Sequence, residues 1–376
     1  MVEPTRARTR ATSEVAPAKA APAKAVVSPS DQLMAEVTKV HGPNIMRRGN
    51  VGGNWKHIPL DVFTMDMAQF GGIPRSAISM FYGWESGGKT TMALRAMASA
   101  QRMFPDQKAA MIDAEGTYDP VWGAFHGINN ERLILVQPET GEQALDISDG
   151  LLRASDISIV VVDSLPALVP AKELEKSLED DIVAMQARLI GRFIRKANQA
   201  ILDERKPHKD HHPALLIINQ WRSKIAYMGD TRSLPGGNAL KFFVFNRIEI
   251  MNKEVLGKDQ YDTETVLFNE HGFKVTKNKE GTGIRSGAFK MIRDPGNPLG
   301  SGFIDEAETV LSQAKKFGFF SGSGKYQKFD DLDTNFNTMK EAAEYFYSDL
   351  AYYAHMRDRL LSAHREHCGL SSVGWK

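Results

Sequence analysis

The feature that most constrains the fold of this chain is the glycine-rich segment at residues 83–91, Gly-Trp-Glu-Ser-Gly-Gly-Lys-Thr-Thr. It follows the spacing G-x-x-x-x-G-K-[ST] of a phosphate-binding loop. The apolar run at 77–82 before it predicts a buried strand, and residues 89–103 after it are rich in helix formers. The alternative is a glycine turn that precedes a lysine by chance, but such a turn would not require a strand before it and a helix after it. The order of strand, loop and helix therefore predicts an α/β domain with a polyphosphate site.

The residue types in this loop indicate how it would hold a ligand. Glycines let the backbone wrap around phosphates without a Cβ in the way. The loop N–H groups and the positive end of the following helix would face the anion. Lys89 would reach the β- and γ-phosphates, and the Thr90 hydroxyl would ligate Mg²⁺.

The composition of the 376 residues is that of a globular protein, 42% hydrophobic and 25% charged. It contains neither an apolar run long enough to span a bilayer nor the apolar core of a signal peptide. The single cysteine, Cys368, excludes an intrachain disulfide, and we expect a cytoplasmic protein. The net charge of +1 requires any nucleic-acid contact to come from a local patch.

The N-terminal part divides into an arm and a helix. Residues 1–30 form a basic Ala/Pro-rich arm with five Lys/Arg and two Asp/Glu, 5 − 2 = +3, which predicts a disordered, solvated tail; a weak DNA tether is the alternative. Residues 31–54 contain an amphipathic helix from Asp31, with Leu33 and Val40 on its apolar side, and then a linker. Such a helix could cap its own domain or pack on a neighbouring subunit.

Residues 55–299 alternate apolar strands with helical segments, which predicts an α/β core. The strands are expected at 77–82, 109–113, 133–136, 157–162 and 214–218, and the helices at 89–103, 141–154 and 182–204. Near-continuous apolar strands are typical of a mostly parallel sheet covered on both faces. The stretch 243–251 alternates more, as an antiparallel addition would.

Residues 300–376 predict a small, mainly helical C-terminal domain. One helical face would run from Ile304 to Phe317 and end at Gly318. A capping box at Thr338 would open a long helix with Leu350 facing inward.

Acidic residues at strand ends are the candidates for metal and proton chemistry. Asp163 follows the strand 157–162 and could hold Mg²⁺ through water, although such an aspartate can also be a simple turn former. Asp113 and Glu115 follow the strand 109–113, and on pattern alone either could act as general base toward water. Asp119 and Trp122 could bind a purine, or Trp122 could simply be core.

The segment after strand 214–218 has the composition of a nucleic-acid loop. Gln220 could sense a γ-phosphate and order the cations, apolar residues and glycines that follow it. A charged stretch at 172–181 precedes a helix with Arg188 and Arg195 at helical spacing, either a phosphate-binding stripe or an ordinary solvated face. The histidine-rich stretch 206–213 predicts a polar surface loop, not a metal site.

Together these segments resemble the RecA family of homologous-recombination ATPases, including its phage-encoded UvsX-type members. The matching pieces are Gly-Trp-Glu-Ser-Gly-Gly-Lys-Thr-Thr (83–91), Ile-Asp-Ala-Glu (112–115), Gln-Pro-Glu-Thr-Gly-Glu-Gln-Ala-Leu (137–145), Val-Val-Asp-Ser (161–164), Ile-Asn-Gln-Trp-Arg-Ser-Lys-Ile (218–225), Gly-Gly-Asn-Ala-Leu-Lys-Phe (236–242) and Lys-Asn-Lys (277–279). The resemblance implies a RecA-like phosphate-loop ATPase core that uses ATP and Mg²⁺.

The resemblance also implies roles for individual residues. The catalytic set would be Glu115 as base, Lys89 and Gln220, with Thr90 and Asp163 at the metal. The ATP contacts would be Gly83, Glu85, Ser86, Gly87, Gly88, Lys89, Thr90, Thr91, Asp119 and Trp122, together with Lys277 and Lys279 reaching the ATP of the neighbouring subunit. DNA would bind at loops about 175–183 and 221–235 through Val183, Arg188, Arg195, Arg222, Lys224, Ile225, Gly236, Gly237 and Asn238. Val183 is smaller than the methionine usual in the family.

The function implied is a DNA-dependent ATPase recombinase. It would form helical filaments on single-stranded DNA, pair them with homologous double-stranded DNA and exchange strands. The helix at 31–41 would dock on the adjacent protomer. The alternatives are a RecA-fold helicase that forms closed rings and a DNA-binding scaffold that has lost hydrolysis.

Overall fold

The computed structural model describes residues 28–42, 46, 56–171, 182–204, 211–223, 232–259, 261–281, 283–294 and 296–370. The chain divides into two compact units, 1–52 and 53–376. The first contains the predicted N-terminal helix α1 (Pro29–His41). The Ser28 hydroxyl accepts a hydrogen bond from the N–H of Asp31, and Gly42, with φ of 91°, ends the helix. The helix is therefore confirmed and begins two residues before the predicted start.

The second unit is built on one large sheet. The strands of this unit are β1 (His57–Ile58), β2 (Ile73–Pro74), β3 (Ile78–Gly83), β4 (Lys108–Asp113), β5 (Leu133–Val136), β6 (Ile157–Asp163), β7 (Ala214–Gln220), β8 (Arg222–Ser223), β9 (Arg232–Ser233), β10 (Asn246–Lys258), β11 (Glu264–Asn278), β12 (Ser286–Ile292), β13 (Ile304–Asp305), β14 (Phe320–Ser321) and β15 (Lys328–Phe329). The helices are α2 (Phe63–Ala68), α3 (Lys89–Met103), α4 (Pro120–Phe125), α5 (Gly141–Arg153), α6 (Ile182–Glu204), α7 (Gly237–Phe243), α8 (Ala307–Lys316), α9 (Met339–Ser348) and α10 (Leu350–His367). Among the described residues, nine strands form the large sheet in the order β13-β12-β11-β10-β3-β7-β6-β4-β5.

The predicted α/β core is confirmed. Strands β3, β7, β6, β4 and β5 pair in parallel. Helix α3 packs its apolar side on one face of the sheet, and α5 and α6 cover the other. Burial on both faces is why these strands are almost entirely apolar in sequence.

The extension of the sheet differs from the expectation of one antiparallel strand at 243–251. Strand β10 begins at Asn246, runs parallel to β3 over residues 246–249, and then pairs antiparallel with β11 along its whole length. These two strands, 13 and 15 residues long, form a hairpin that continues beyond the parallel core. The sequence 252–270 alternates poorly because both sides of this part of the hairpin are largely exposed.

The segment after residue 300 has its own apolar core, formed by α8, α9, α10 and the small β14–β15 sheet. Two details differ from the sequence prediction. Ile304 lies in β13, paired with Met291, and the helix begins only at Ala307. The long helix breaks at Asp349, whose side chain accepts a hydrogen bond from the N–H of Tyr352 and starts α10, which leaves Leu350 61% exposed.

The parallel strands place the candidate residues together. Strands β3, β4, β6 and β7 end at Gly83, Asp113, Asp163 and Gln220, all at the same edge of the sheet. Ligands of open parallel sheets bind outside this carboxyl edge. Within the described residues, no helix is both long enough and apolar enough to cross a membrane.

Candidate functional site

The glycines of the segment 83–91 are required by close packing. A Cβ on Gly83 would lie 2.1 Å from the carbonyl oxygen of Ile250 in strand β10. Gly88 adopts the left-handed conformation, with φ of 91°, and helix α3 begins directly after it at Lys89. The segment therefore turns sharply from β3 into α3, so that the helix N-terminus faces the cavity at the edge of the sheet.

Lys89 lies inside this turn. Its ammonium group donates a hydrogen bond to the carbonyl oxygen of Trp84 at 2.5 Å, and the residue is 5% exposed. Burial lowers the pKa of Lys89, whereas the nearby carboxylates of Asp163 and Glu115 act in the opposite direction. The side chain is thus a mostly desolvated cation whose present partner is a neutral carbonyl.

Thr90 and Asp163 form a direct pair. The Thr90 hydroxyl donates to a carboxylate oxygen of Asp163 at 2.7 Å. Burial raises the pKa of Asp163 to about 6, and the Thr90 hydrogen bond opposes that shift. A hydroxyl and a carboxylate are oxygen donors of the kind that Mg²⁺ prefers, so the residues present fit this ion.

Glu115 lies at the centre of a second polar group. Its Oε1 accepts a hydrogen bond from the Ser164 hydroxyl at 2.5 Å and another from the side-chain amide of Gln220 at 3.2 Å. Three strand ends, those of β4, β6 and β7, therefore meet at one carboxylate oxygen. The Glu115 side chain also lines the cavity that contains the phosphate loop.

The Asp113 carboxylate has different hydrogen-bond partners from that of Glu115. The residue is 1% exposed, and its carboxylate accepts the backbone N–H groups of Thr117 and Tyr118, each at 3.1 Å, and the side-chain amide of Gln137 at 3.2 Å. These bonds fix the turn that follows β4. Asp113 and Glu115, which the sequence pattern alone could not distinguish as the general base, thus have different environments.

Asp119 and Trp122 sit on either side of the start of helix α4. The Asp119 side chain accepts from the N–H of Val121 and caps the helix. Trp122 stacks on Phe125 with ring centroids 5.3 Å apart, and it lines the cavity while part of the ring packs on the core. Asp119 is exposed but is not among the residues that line this cavity.

The cavity has a volume of about 870 Å³. The predicted residues on its wall are Glu85, Ser86, Gly87, Gly88, Lys89, Thr90, Thr91, Glu115, Trp122, Asp163, Gln220 and Arg222. The residues on its wall that the sequence did not single out are mainly on β10, β11 and β12 or just beyond: Asn252, Glu254, Asn269, His271, Met291 and Arg293. The first four belong to the β10–β11 hairpin, whose length and pairing were not predicted, whereas Met291 lies in β12 and Arg293 follows it.

Among these hairpin residues, His271 contacts the phosphate loop directly. Its Nδ1 lies 3.1 Å from the carbonyl oxygen of Gly87, and its ring stacks on Phe289. A Cβ on Gly88 would lie 2.7 Å from the imidazole, so the ring packs directly against the backbone of the phosphate loop. Burial lowers the pKa of His271, which favours the neutral ring.

The candidate DNA-binding residues after β7 begin next to the cavity. Arg222 is exposed and donates to the carbonyl oxygen of Pro166 at 3.2 Å. Strand β8, which contains Arg222, pairs with β9, so the predicted loop 221–235 includes a short ribbon. Lys224 and Ile225 lie outside the described residues.

The other candidate DNA contacts lie on two helices. Gly236, with φ of 105°, precedes helix α7, and Gly237 and Asn238 are exposed in its first turn. Arg188 and Arg195 are exposed on α6. Val183 belongs to the same helix, but its side chain lies outside the described residues, as does the stretch 172–181.

Lys277 and Lys279 lie elsewhere in the chain. Lys277 donates to the carbonyl oxygens of Lys241 at 2.5 Å and Phe242 at 3.3 Å, and Lys279 donates to that of Phe242 at 3.0 Å. The two lysines therefore hold the carbonyl end of α7, where cations are favoured. Within the described part of the chain, they do not line the cavity of their own subunit.

Comparison with known proteins agrees with this geometry. The family model described as the RecA N-terminal domain matches residues 31–297. The chain is 37% identical over 280 residues to "Protein RecA" of Symbiobacterium thermophilum, covering 73% of this chain and 76% of that protein. It is 34% identical over 348 residues to "Protein RecA" of a Roseiflexus species, covering 91% and 92%, and 35% identical over 307 residues to that of Bacillus subtilis, covering 80% and 82%.

The family model spans most of the chain, and the relatives are matched over most of their own length. The matched region includes the phosphate loop, the Glu115–Ser164–Gln220 group and the two lysines. The chain belongs to the RecA family of recombinases.

Proposed function

We propose that the protein is a DNA-dependent ATPase that forms helical filaments on single-stranded DNA and promotes homologous pairing and strand exchange. The observation that carries the proposal is the Glu115 carboxylate, which is bonded to both Ser164 and Gln220 on the wall of the phosphate-loop cavity. In this position one carboxylate joins the nucleotide site to the strand that leads into the candidate DNA loop.

ATP would enter through the phosphate loop. Lys89 donates to the Trp84 carbonyl, and a phosphate oxygen, being charged, is a stronger acceptor than a carbonyl. Thr90 and Asp163 are the residues that would hold Mg²⁺, which when bound neutralises charge on the β- and γ-phosphates. The pair is already aligned by its own hydrogen bond.

Hydrolysis would use Glu115 as general base. Its cavity-lining carboxylate has acceptor capacity for a water proton, and the hydrogen bonds from Ser164 and Gln220 hold its orientation. Asp113 is a poorer candidate because its carboxylate is buried and satisfied by two backbone N–H groups.

Gln220 would report the nucleotide state to the DNA loop. Its amide group donates to Glu115, and a γ-phosphate oxygen would compete for that donor. Trp221 and Arg222 follow directly, so a shift of Gln220 would change the path of the chain into 224–231. Cations and apolar side chains in that loop suit a stretched single strand.

Helix α7 would connect DNA with the neighbouring active site. Its first turn contains Gly237 and Asn238, the proposed DNA contacts, and its last carbonyls are held by Lys277 and Lys279. If these lysines reach the ATP of the adjacent subunit, DNA bound at one end of α7 influences ATP contacts at the other. Filament assembly and hydrolysis then depend on each other.

The decisive experiment measures ATP hydrolysis with and without single-stranded DNA and images the same samples by electron microscopy. We expect DNA-stimulated turnover and helical filaments, both lost in Lys89→Ala. Closed rings would instead indicate the helicase class. Filaments without any turnover would indicate a scaffold, and turnover that persists in Lys89→Ala would contradict the site assignment.

A further inference from the structure

A buried ionic cluster joins the end of strand β11 to the C-terminal helix α10. It consists of His57, Glu280 and Arg365, called here the Glu280 cluster. The side chain of Glu280 is 3% exposed, that of His57 is 1% exposed and that of Arg365 is 5% exposed. Charged groups are buried to this degree only when they are paired, so the contacts within the cluster define its geometry.

Each oxygen of the Glu280 carboxylate has its own partner. Oε2 lies 2.7 Å from Nε2 of His57 in β1, and Oε1 lies 3.7 Å from the Arg365 guanidinium in the last turn of α10. Arg365 also donates to the carbonyl oxygen of Phe70. The carboxylate therefore fixes its segment to two elements that are distant in sequence.

The segment so fixed contains the two lysines of the proposed trans contact. Glu280 follows Lys279 directly, and its backbone N–H donates to the side-chain oxygen of Asn278 at 2.9 Å, which closes a tight turn. In this turn the Glu280 side chain is buried, Lys279 is exposed and Lys277 is partly exposed. The position of the lysines thus depends on a buried anchor one residue away.

The chain after Glu280 is held against the same surface. A Cβ on Gly283 would lie 2.8 Å from the ring of Phe70, the residue whose carbonyl accepts from Arg365. Phe70 in turn stacks on His364 of α10 with centroids 5.9 Å apart. The segment around the lysines is therefore linked to the last turns of α10 directly through Glu280 and indirectly through Phe70.

We infer that Glu280 is a positioning residue for the ATPase site of the adjacent subunit, acting through Lys277 and Lys279 and anchored by Arg365 of the C-terminal helix. The inference rests on the proposed trans role of the lysines. It gives the segment 300–370 a part in hydrolysis, although Arg365 lies beyond the residues that match the family model. Glu280 would act through the lysines, since its buried carboxylate contacts His57 and Arg365.

The test uses the full-length chain and the variant Glu280→Gln, which keeps a partner for His57 but removes the charge facing Arg365. We expect its DNA-stimulated ATPase to fall by about tenfold or more, since displacing a catalytic group by about 1 Å can cost about a hundredfold. Arg365→Gln removes the same pair from the other side and should behave alike. Arg359→Gln is the matched control, because it breaks partly exposed ion pairs to Asp330 and Asp331 within the C-terminal segment.

Mixing of subunits separates positioning from folding. In a mixture of Glu280→Gln with Lys89→Ala, some junctions combine an intact phosphate loop from one variant with intact lysines from the other. At equal amounts, about a quarter of randomly formed head-to-tail junctions are intact, so the mixture should hydrolyse ATP faster than the sum of the two variants alone. A loss through misfolding would not be rescued in this way.

Three outcomes overturn the inference: no rescue in the mixture, unchanged turnover in both Glu280→Gln and Arg365→Gln, or an equal loss in Arg359→Gln. Failure of the proposed function has a different signature. In that case wild-type protein shows no DNA-stimulated turnover, or Lys89→Ala fails to rescue the double variant Lys277→Ala/Lys279→Ala.

Discussion

At the scale of single residues, Glu115 is the most informative position. Substitution of Glu115 by Gln keeps the size of the side chain and an acceptor for Ser164 but removes the base. We expect ATP turnover to fall by about 10²- to 10⁴-fold, the usual contribution of a general base. Binding of a nucleotide and of single-stranded DNA should be retained, because Lys89, Thr90 and Asp163 are unchanged.

The measurement is steady-state ATPase alongside equilibrium binding of a fluorescent ATP analogue. Glu131→Gln is a suitable control, since Glu131 is an exposed acidic residue outside the cavity. If Glu115→Gln hydrolyses ATP as fast as the wild type, another group must activate the water. A loss of nucleotide binding would instead mean that Glu115 shapes the site.

The same residues show what the sequence alone could predict. Lys89, Thr90 and Asp163 could be placed at the carboxyl edge of the sheet, because a fixed motif spacing or strand end determines their position. Asp113 and Glu115 could not be separated, because both follow the same strand and only the turn bonds of Asp113 distinguish them. His271 could not be found at all, since its role depends on a long-range strand pairing and no local pattern marks it.

At the scale of elements, substitutions in the loop after β7 test DNA binding. The double variant Arg222→Ala/Lys224→Ala removes two cations from the predicted loop 221–235. The dependence of log affinity on log salt should become shallower by about 0.7 for each lost contact with a single-stranded phosphate. Titrations of labelled oligonucleotide at several salt concentrations give this slope.

A control for that titration is Lys258→Ala, which removes a cation that pairs with Asp262 near the tip of the hairpin. It should leave the slope unchanged. If the loop variant also keeps the wild-type slope, the second loop is not in the DNA path, even if the affinity changes for other reasons.

The contact of helix α2 with α10 predicts a pH dependence of stability. Asp66 is fully buried, accepts from the N–H of Leu60 at 2.7 Å and lies 3.6 Å from the Arg357 guanidinium. Burial outweighs the attraction of Arg357 and raises the pKa of Asp66 to about 8 from 3.8. The folded protein thus keeps a proton that the unfolded chain has released, so stability falls as the pH rises between these values.

Asp66→Asn stays neutral and should lack this contribution. We expect the unfolding free energy of the wild type, relative to Asp66→Asn, to be greatest near pH 4 and to decline up to about pH 8. Urea unfolding at a series of pH values measures the difference. Asp156→Asn, which removes an exposed carboxylate from a pair with Lys108, is the control; a constant difference for Asp66→Asn would show that Asp66 is ionised throughout.

The strands and helices differ in how well their bounds could be predicted from the sequence. Strands β3 to β7 and helices α3, α5 and α6 were predicted to within about two residues, because burial on one or two faces imposes a clear apolar pattern. The β10–β11 hairpin was not, because exposure on both sides removes that pattern over much of its length. This hairpin supplies Asn252, Glu254, Asn269 and His271 to the cavity wall, so this part of the site could not be predicted from the sequence.

At the scale of the whole molecule, substitutions in the N-terminal helix α1 test whether it takes part in filament assembly. Leu33 is 51% exposed and Val40 is 73% exposed, and their spacing of two helical turns places them on one side of the helix. If that side docks on an adjacent protomer, as the resemblance to the RecA family implies, burying the two side chains stabilises each junction by about 1.5–3 kcal/mol per residue. Because about 1.4 kcal/mol corresponds to tenfold in an equilibrium constant, Leu33→Ser/Val40→Ser should raise the protein concentration needed for filaments at least about tenfold.

Sedimentation and electron microscopy over a range of protein concentrations measure this threshold, in the presence of ATP and single-stranded DNA. Nucleotide binding at low concentration and the unfolding midpoint should stay at wild-type values, because neither side chain is buried in the free chain. Glu36→Gln, a change at an exposed polar residue of the same helix, should leave the threshold unchanged. Filaments that form at the wild-type concentration in the double variant would place the subunit contact elsewhere, and a loss of nucleotide binding would show that the helix caps its own domain instead.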